Sequence, residues 1–238
     1  MTNALIFAGG YGSRMNSRSK PKQFLQLYGK EIIVHTVENF QNHPLVDGIV
    51  IVCKEDWIDF AKNLVQKYAL TKVSSIIPGG ETGQESIFYG LRALSEHCDE
   101  KSIVLVHDGV RPFVSFELIS SCVDSVKHFG SAVTAVPATE SIVTACDGVI
   151  QDVIDRDKSY IAKAPQCFYL GELLQAHLKA RADNLVTAKD SAALMSHYGH
   201  KLHTVEGTFD NIKITTPEDF YIFRALYDAH ENQQIFGI

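Results

Sequence analysis

Five short apolar runs stand out in the first part of the chain: Ala4–Ala8, Gly48–Cys53, Val73–Ile77, Ile103–His107 and Ala132–Val136. Several are apolar without strict alternation, the pattern of strands covered on both faces. Between them, apolar residues recur at helical spacing. Ile33, Val37 and Phe40 stand at i, i+4 and i+7, as do Ile87, Leu91 and Leu94, and Trp57, Ala61, Leu64 and Tyr68 form a third stripe. Such stripes read as the core-facing sides of helices. The alternation predicts an α/β fold with a Rossmann-like, doubly wound, mostly parallel sheet. Ligands of such sheets bind beyond the carboxyl ends of the strands, so motifs that directly follow a strand carry the most weight.

Two regions depart from this rhythm. Thr139 to Ala164 is of mixed polarity around a turn at Asp147-Gly148, which predicts a β-hairpin arm, at about 138–164, projecting from the main sheet. From Gly171 onward come helical segments, a strand near Leu202–Val205 and a last helix after Pro217. No internal repeat, low-complexity tract or linker interrupts residues 1–238, so one domain with an arm is the expected organisation.

Composition narrows the function. The chain has 238 residues, 45% hydrophobic and 21% charged, enough for a sizeable core. A formal net charge of -6 argues against general affinity for nucleic acid or an anionic membrane, so any phosphate-binding surface must be local. The five cysteines include no C-x-x-C pair and read as reduced thiols of a cytoplasmic protein. The N-terminus lacks a basic segment and a long enough apolar core for a signal peptide. No apolar run approaches the roughly 20 residues of a membrane span.

The first strand runs into Ala8-Gly9-Gly10-Tyr11-Gly12-Ser13-Arg14-Met15. Glycines allow a tight turn whose successive N–H groups cradle phosphate oxygens. Met15 spoils the dinucleotide fingerprint, and no Walker pattern occurs. Arg14 and Lys22 bring charge to the loop, and Pro21 restricts the backbone that presents Lys22. Three further motifs stand out. Gly79-Gly80-Glu81-Thr82-Gly83-Gln84-Glu85-Ser86 follows a strand and opens a helix; Val106-His107-Asp108-Gly109-Val110-Arg111-Pro112 also follows a strand; Asp210-Asn211-Ile212-Lys213 precedes Thr216-Pro217-Glu218-Asp219. Asp108 offers a hard oxygen for Mg²⁺ or an acceptor for ribose hydroxyls, while Arg111 is placed to lock its loop by an ion pair. Thr216 reads as a helix N-cap with Pro217 at the first helical position. His197, His200 and His203 are regularly spaced, but Gly199 breaks any helix aligning them, so a polar surface turn is expected.

A-G-G-x-G-S-R-M followed by P-K-Q-F-L resembles the sugar-phosphate cytidylyltransferase family, which includes the methylerythritol-phosphate and ribitol-phosphate enzymes. The resemblance runs from Ala4 to about Leu226, with the motifs in family order. It implies a fold of the nucleotide-diphospho-sugar transferase type and transfer of a cytidylyl group from CTP to a sugar-alcohol phosphate. Arg14, Lys22 and Lys213 would be the catalytic cations. Phe7, Ala8, Gly9, Gly10, Gly12, Gly79, Gly80, Glu81, Ser86 and Asp108 would hold the nucleotide, with Asp108 also on Mg²⁺. Ser141 and Arg156 on the arm would hold the acceptor phosphate, the arm being exchanged between the subunits of a homodimer. A reductase is an expected functional partner, supplying the acceptor.

Two positions depart from the family pattern: Gly83 stands where arginine is usual and Lys163 where glutamine is common. His-Asp-Gly-Val-Arg-Pro, Ala164-Pro165-Gln166-Cys167-Phe168 and Lys189-Asp190-Ser191-Ala192 resemble the ribitol branch. That implies ribitol 5-phosphate as acceptor and CDP-ribitol as product, for a teichoic acid-like cell-surface polymer. The methylerythritol reaction of isoprenoid biosynthesis is the alternative. A non-catalytic nucleotide-binding protein is a third reading, disfavoured because binding alone does not require Arg14, Lys22 and Lys213 together.

Overall fold

A computed structural model of the chain describes residues 1–9, 20–186 and 188–236. Numbered in chain order, β1 (Thr2–Ala8), β4 (Gly48–Cys53), β5 (Val73–Pro78), β6 (Ile103–Asp108), β7 (Ser131–Pro137), β10 (Tyr160–Tyr169) and β11 (Thr204–Glu206) build a central seven-stranded sheet in the order β11-β7-β10-β6-β1-β4-β5, while β2 (Gln26–Leu27) and β3 (Lys30–Glu31) pair only with each other. All neighbours are parallel except β10, which runs antiparallel between β6 and β7. The five apolar runs of the sequence are β1, β4, β5, β6 and β7.

Helices cover both faces. On one, α1 (Ile32–Asn42), α2 (Ile58–Lys67) and α4 (Phe116–Phe129) bury Ile33, Phe40, Leu64 and Ile119 against Ile6, Ile51 and Leu105. On the other, α3 (Gly83–Ser95), α5 (Leu170–Ala182) and α6 (Ser191–His197) bury Leu91, Leu173 and Leu194 with Leu5, Val52 and Phe168. Alternate residues of β1 thus enter opposite cores, as a doubly covered strand requires. A smaller third cluster joins Leu27, Ile32, Val110, Ile214 and Phe223. It docks the last helix, α7 (Pro217–Phe236), under the loop that follows β6. Within α3, Gly90 lets the helix approach the sheet: a Cβ there would stand 2.1 Å from a Leu5 methyl.

β10 is the element that sequence reading did not isolate. It contains Pro165, which normally argues against an interior strand. The register shifts between Ala162 and Gln166, so the proline sits at the irregularity instead of in a regular ladder. The predicted hairpin is correspondingly shorter. β8 (Ile142–Cys146) and β9 (Val149–Ile154) pair with each other outside the main sheet, and Tyr160–Ala164 belongs to β10. Asp147 (φ 49°) and Gly148 (φ 79°) form the turn, both in the left-handed region that a tight hairpin demands. Ile142, Val143, Val149, Ile150 and Val153 on this ladder are exposed. The strand expected at Leu202–Val205 is displaced slightly, to Thr204–Glu206. No helix among the described residues is long and apolar enough to cross a membrane.

Candidate active site

β1 is the switch point of the sheet. The chain leaves it to build β4 and β5 on one side, then returns to build β6 on the other. The carboxyl ends of β1 and β6 therefore diverge into a crevice, and Phe7 and Asp108 lie there side by side in register.

Asp108 is the electrostatic centre. Its carboxylate is buried and takes Lys213 Nζ on Oδ1 at 2.5 Å and Arg111 Nε on Oδ2 at 2.8 Å. Burial alone would raise its pKa, but the charges and hydrogen bonds of Lys213 and Arg111 outweigh that and hold it below the ordinary value. Arg111 also donates to the Asn211 carbonyl at 2.9 Å, tying this loop to the segment that carries Lys213. Around the same loop, Thr36 donates to the Gly109 carbonyl, Asn39 to that of Pro112, and His107 Nε2 bonds the Arg111 carbonyl at 3.0 Å. His107 is fully buried, and desolvation pushes its pKa down to about 4, so the ring is neutral. The loop is thus a rigid mount.

Lys213 is positioned by its neighbours in sequence. Ile214 is fully buried in the third cluster and its N–H bonds the Val110 carbonyl. Just beyond, Asp219 Oδ2 accepts from Thr215 N, Thr215 Oγ1 and Thr216 N, while Asp219 N bonds Thr216 Oγ1. This reciprocal cap fixes the start of α7. The Lys213 ammonium lies 5.9 Å from the Phe7 ring centroid.

The nucleotide-loop residues converge on Ser86. Its buried hydroxyl accepts from Gly80 N at 3.1 Å and donates to the Thr82 carbonyl at 2.9 Å. A Cβ on Gly9 or Gly79 would come within 3.0 Å and 2.9 Å of that oxygen, so both positions must stay small. Thr82 caps α3 by accepting from Glu85 N, and Glu85 returns to the exposed Glu81 N–H. Gly83 opens α3 at the edge of the crevice, and a Cβ there would meet nothing within 4 Å.

Lys22 begins a short 3-10 turn, Lys22–Phe24. Buried Gln23 bonds the Ala8 carbonyl through Nε2 at 2.5 Å, and Phe24 stacks on Trp57 at 5.0 Å. P-K-Q-F is therefore clamped to the end of β1 through Gln23, which sets Lys22 close to the carboxyl end of that strand. Gly10, Gly12 and Arg14 lie outside the described residues.

A cavity of about 240 Å³ opens in front of Asp108 and Lys213. Lys163 and Gln166 from β10, and Lys189 and Ser191 at the start of α6, line its far side. Gln166 fastens that side by bonding Asp190 and the Ala192 N–H. The sequence motifs around Ala164-Pro165-Gln166 and Lys189-Asp190-Ser191 marked these segments, but not their convergence, which depends on β10 entering the sheet. Ser141 and Arg156 are not brought to this cavity within one chain. Both are exposed, Arg156 at the start of a 3-10 turn, Arg156–Lys158. Among the described residues no cluster of three or more His, Cys, Asp or Glu side chains could hold a metal alone. Gly199 (φ 81°) follows α6, His203 stacks on Phe129, and His197 packs edge-on against Tyr198.

Residues 2–228 match the family model described as IspD, 2-C-methyl-D-erythritol 4-phosphate cytidylyltransferase. The chain belongs to this cytidylyltransferase family. Ribitol-5-phosphate cytidylyltransferase of Streptococcus agalactiae serotype V is 51% identical over 239 residues, covering 100% of both chains. 2-C-methyl-D-erythritol 4-phosphate cytidylyltransferase of Clostridium acetobutylicum is further off, 37% identical over 98% of this chain and 100% of its own. Among solved structures, 4-diphosphocytidyl-2C-methyl-D-erythritol synthase of Anaerococcus prevotii superposes with a TM-score of 0.81 at 27% identity, over 95% of this chain and 96% of that one. The protein is thus a cytidylyltransferase, and the crevice at Asp108 is its candidate active site.

Proposed function

We propose that this cytidylyltransferase transfers the cytidylyl group of CTP to D-ribitol 5-phosphate, releasing pyrophosphate and CDP-ribitol for a teichoic acid-like polymer. The observation that carries the acceptor is the full-length 51% identity to a protein named for ribitol 5-phosphate, against 37% to one named for methylerythritol phosphate.

In the reaction an oxygen of the acceptor phosphate attacks the α-phosphorus of CTP, and the bond to the bridging oxygen of pyrophosphate breaks in line. A phosphate monoester with a second pKa of about 6 is largely dianionic at neutral pH, so no general base is required. The difficulty is bringing two anions together, and cations fixed before substrate arrives address it. Lys22 and Arg14 serve the triphosphate at the end of β1. Lys213 faces the α-phosphate from the opposite loop, held ready by Asp108. Gly79, Gly80 and Ser86 offer a small, hydrogen-bonded cradle to base and ribose, beside Phe7, Ala8 and Glu81. Ser141 and Arg156 reach the acceptor phosphate of a second subunit through arm exchange, which accounts for exposed apolar residues on β8 and β9.

Mg²⁺ would enter with the nucleotide and be held mainly by substrate phosphates. Asp108 is the carboxylate that would reach it, sharing oxygens that already take Lys213 and Arg111. When bound, it would neutralise charge on the triphosphate.

Pyrophosphate release tests the reading, with CTP plus ribitol 5-phosphate, methylerythritol 4-phosphate or no acceptor. Release with ribitol 5-phosphate is expected. Release only with methylerythritol 4-phosphate overturns the acceptor, and release with neither supports the non-catalytic reading. Near-normal turnover of folded Lys22→Ala would contradict the triphosphate clamp.

A further inference from the structure

Lys163 lines the active-site cavity, where a lysine would ordinarily be read as a phosphate contact. Its geometry says otherwise. Lys163 Nζ donates to the carbonyls of Thr208 at 3.0 Å, Phe209 at 3.1 Å and Asn211 at 3.2 Å. An ammonium has three N–H donors, and here all three are engaged by backbone. The acceptors belong to one loop, and that loop ends at Lys213.

We infer that Lys163 is a positioning residue, which organises the 208–213 loop so that Lys213 is held at the reacting phosphates. The inference rests on the proposed reaction. Three further contacts show how the loop depends on this corner. Arg111 shares the Asn211 carbonyl; fully buried Asn211 returns a bond from Nδ2 to the Ala164 carbonyl at 2.7 Å; and the Lys163 ammonium lies 5.9 Å from the Phe209 ring centroid. Gly207 N bonds the Ala135 carbonyl and Ile214 N the Val110 carbonyl, so the loop is anchored at both ends. Between those anchors, three carbonyls turn toward one point, and without a cation there they would repel. Lys163 sits at that point on β10, next to the register shift. A glutamine amide carries only two N–H donors and no charge, so it cannot complete the same arrangement.

The test is a double-variant cycle on Lys163 and Lys213, read by steady-state pyrophosphate release. Lys163→Met is expected to lower kcat by about tenfold to a hundredfold, the scale of a catalytic group slightly misplaced. KM for CTP and for ribitol 5-phosphate should stay within about twofold. Lys163→Arg, which keeps charge and several donors, should recover part of the loss. Combining Lys163→Met with Lys213→Ala should leave kcat at the level of Lys213→Ala alone, because the first acts through the second. Losses that multiply would overturn the proposal, as would a raised acceptor KM at unchanged kcat, the signature of a direct phosphate contact.

Amide hydrogen exchange supplies a readout independent of turnover. Residues 208–214 should exchange faster in Lys163→Met, and unchanged exchange would refute the positioning role. If Lys163→Met does not fold, Lys163→Gln, which retains two donors, enters both measurements. A wild-type enzyme that releases no pyrophosphate would instead count against the proposed reaction, and the exchange experiment would still decide the role of Lys163.

Discussion

Lys213 and Asp108 stand 105 positions apart in the chain (213 less 108), and fold to put ammonium nitrogen and carboxylate oxygen 2.5 Å apart. The Asp108 side chain is 8% exposed, that of Lys213 41%. The anion is therefore the anchored partner, while the cation reaches outward toward the crevice. Asp108→Asn should release Lys213 and leave Arg111 buried without its carboxylate. We expect a stability loss of about 3 kcal/mol, chiefly from Arg111, since the more exposed Lys213 is screened by water. Turnover should fall by on the order of a hundredfold. Urea denaturation and pyrophosphate release measure the two effects separately.

Ser86 is the corresponding pin for the nucleotide loop. Ser86→Ala removes the acceptor for Gly80 N and the bond to the Thr82 carbonyl. The expected cost is about 1–2 kcal/mol of stability. KM for CTP should rise with little change in kcat, because the loop serves bound nucleotide and transition state alike. A large fall in kcat at constant KM would place Ser86 in the chemical step instead.

Two glycines of α3 make opposite predictions. Gly90→Ala drives a methyl into the fully buried Leu5 side chain and should destabilise by about 1–3 kcal/mol despite alanine's better helix propensity. At Gly83 an added Cβ meets nothing within 4 Å, and Gly83→Ala should change stability by about 0.5 kcal/mol or less. Thermal melts of the two variants make the comparison.

The scaffold was readable in the sequence because the central parallel strands β1, β4 and β6 are buried on both faces and advertise themselves as apolar runs. The helices between them carry stripes with a single dominant side. The site was readable wherever motif residues lie directly after such strands, as Gly79-Gly80 and Asp108 do. It was not readable where one segment completes another. Lys163 belongs to a strand interrupted by Pro165, and its three partners lie 45 to 48 positions further along. Nothing in residue type distinguishes a lysine that binds phosphate from one that gathers carbonyls. Gln23 is hidden for a related reason: its bond to Ala8 joins positions 15 apart in sequence, which local periodicity does not describe.

Acid should destabilise the protein over a definite window. His107 and His177 are both buried, and desolvation pushes each pKa down to about 4. Each folds neutral, whereas the unfolded chain protonates near pH 6.5. Their contribution is fully present above pH 6.5 and is lost as pH falls from there toward 4, where further acid adds no slope from these groups. The loss is on the order of 3 kcal/mol per histidine. His177 Nε2 has no hydrogen-bond partner, so His177→Leu sacrifices none there and should flatten part of the slope. Denaturant midpoints from pH 7 to pH 4 would reveal it.

Selection of ribitol 5-phosphate over methylerythritol 4-phosphate is what the proposed function requires of this enzyme. A competition measures this most directly: limiting CTP is offered to the wild-type enzyme with equimolar ribitol 5-phosphate and methylerythritol 4-phosphate, and the two cytidine diphosphate products are quantified by mass. CDP-ribitol is expected to dominate. A product pool dominated by the methylerythritol conjugate would contradict it.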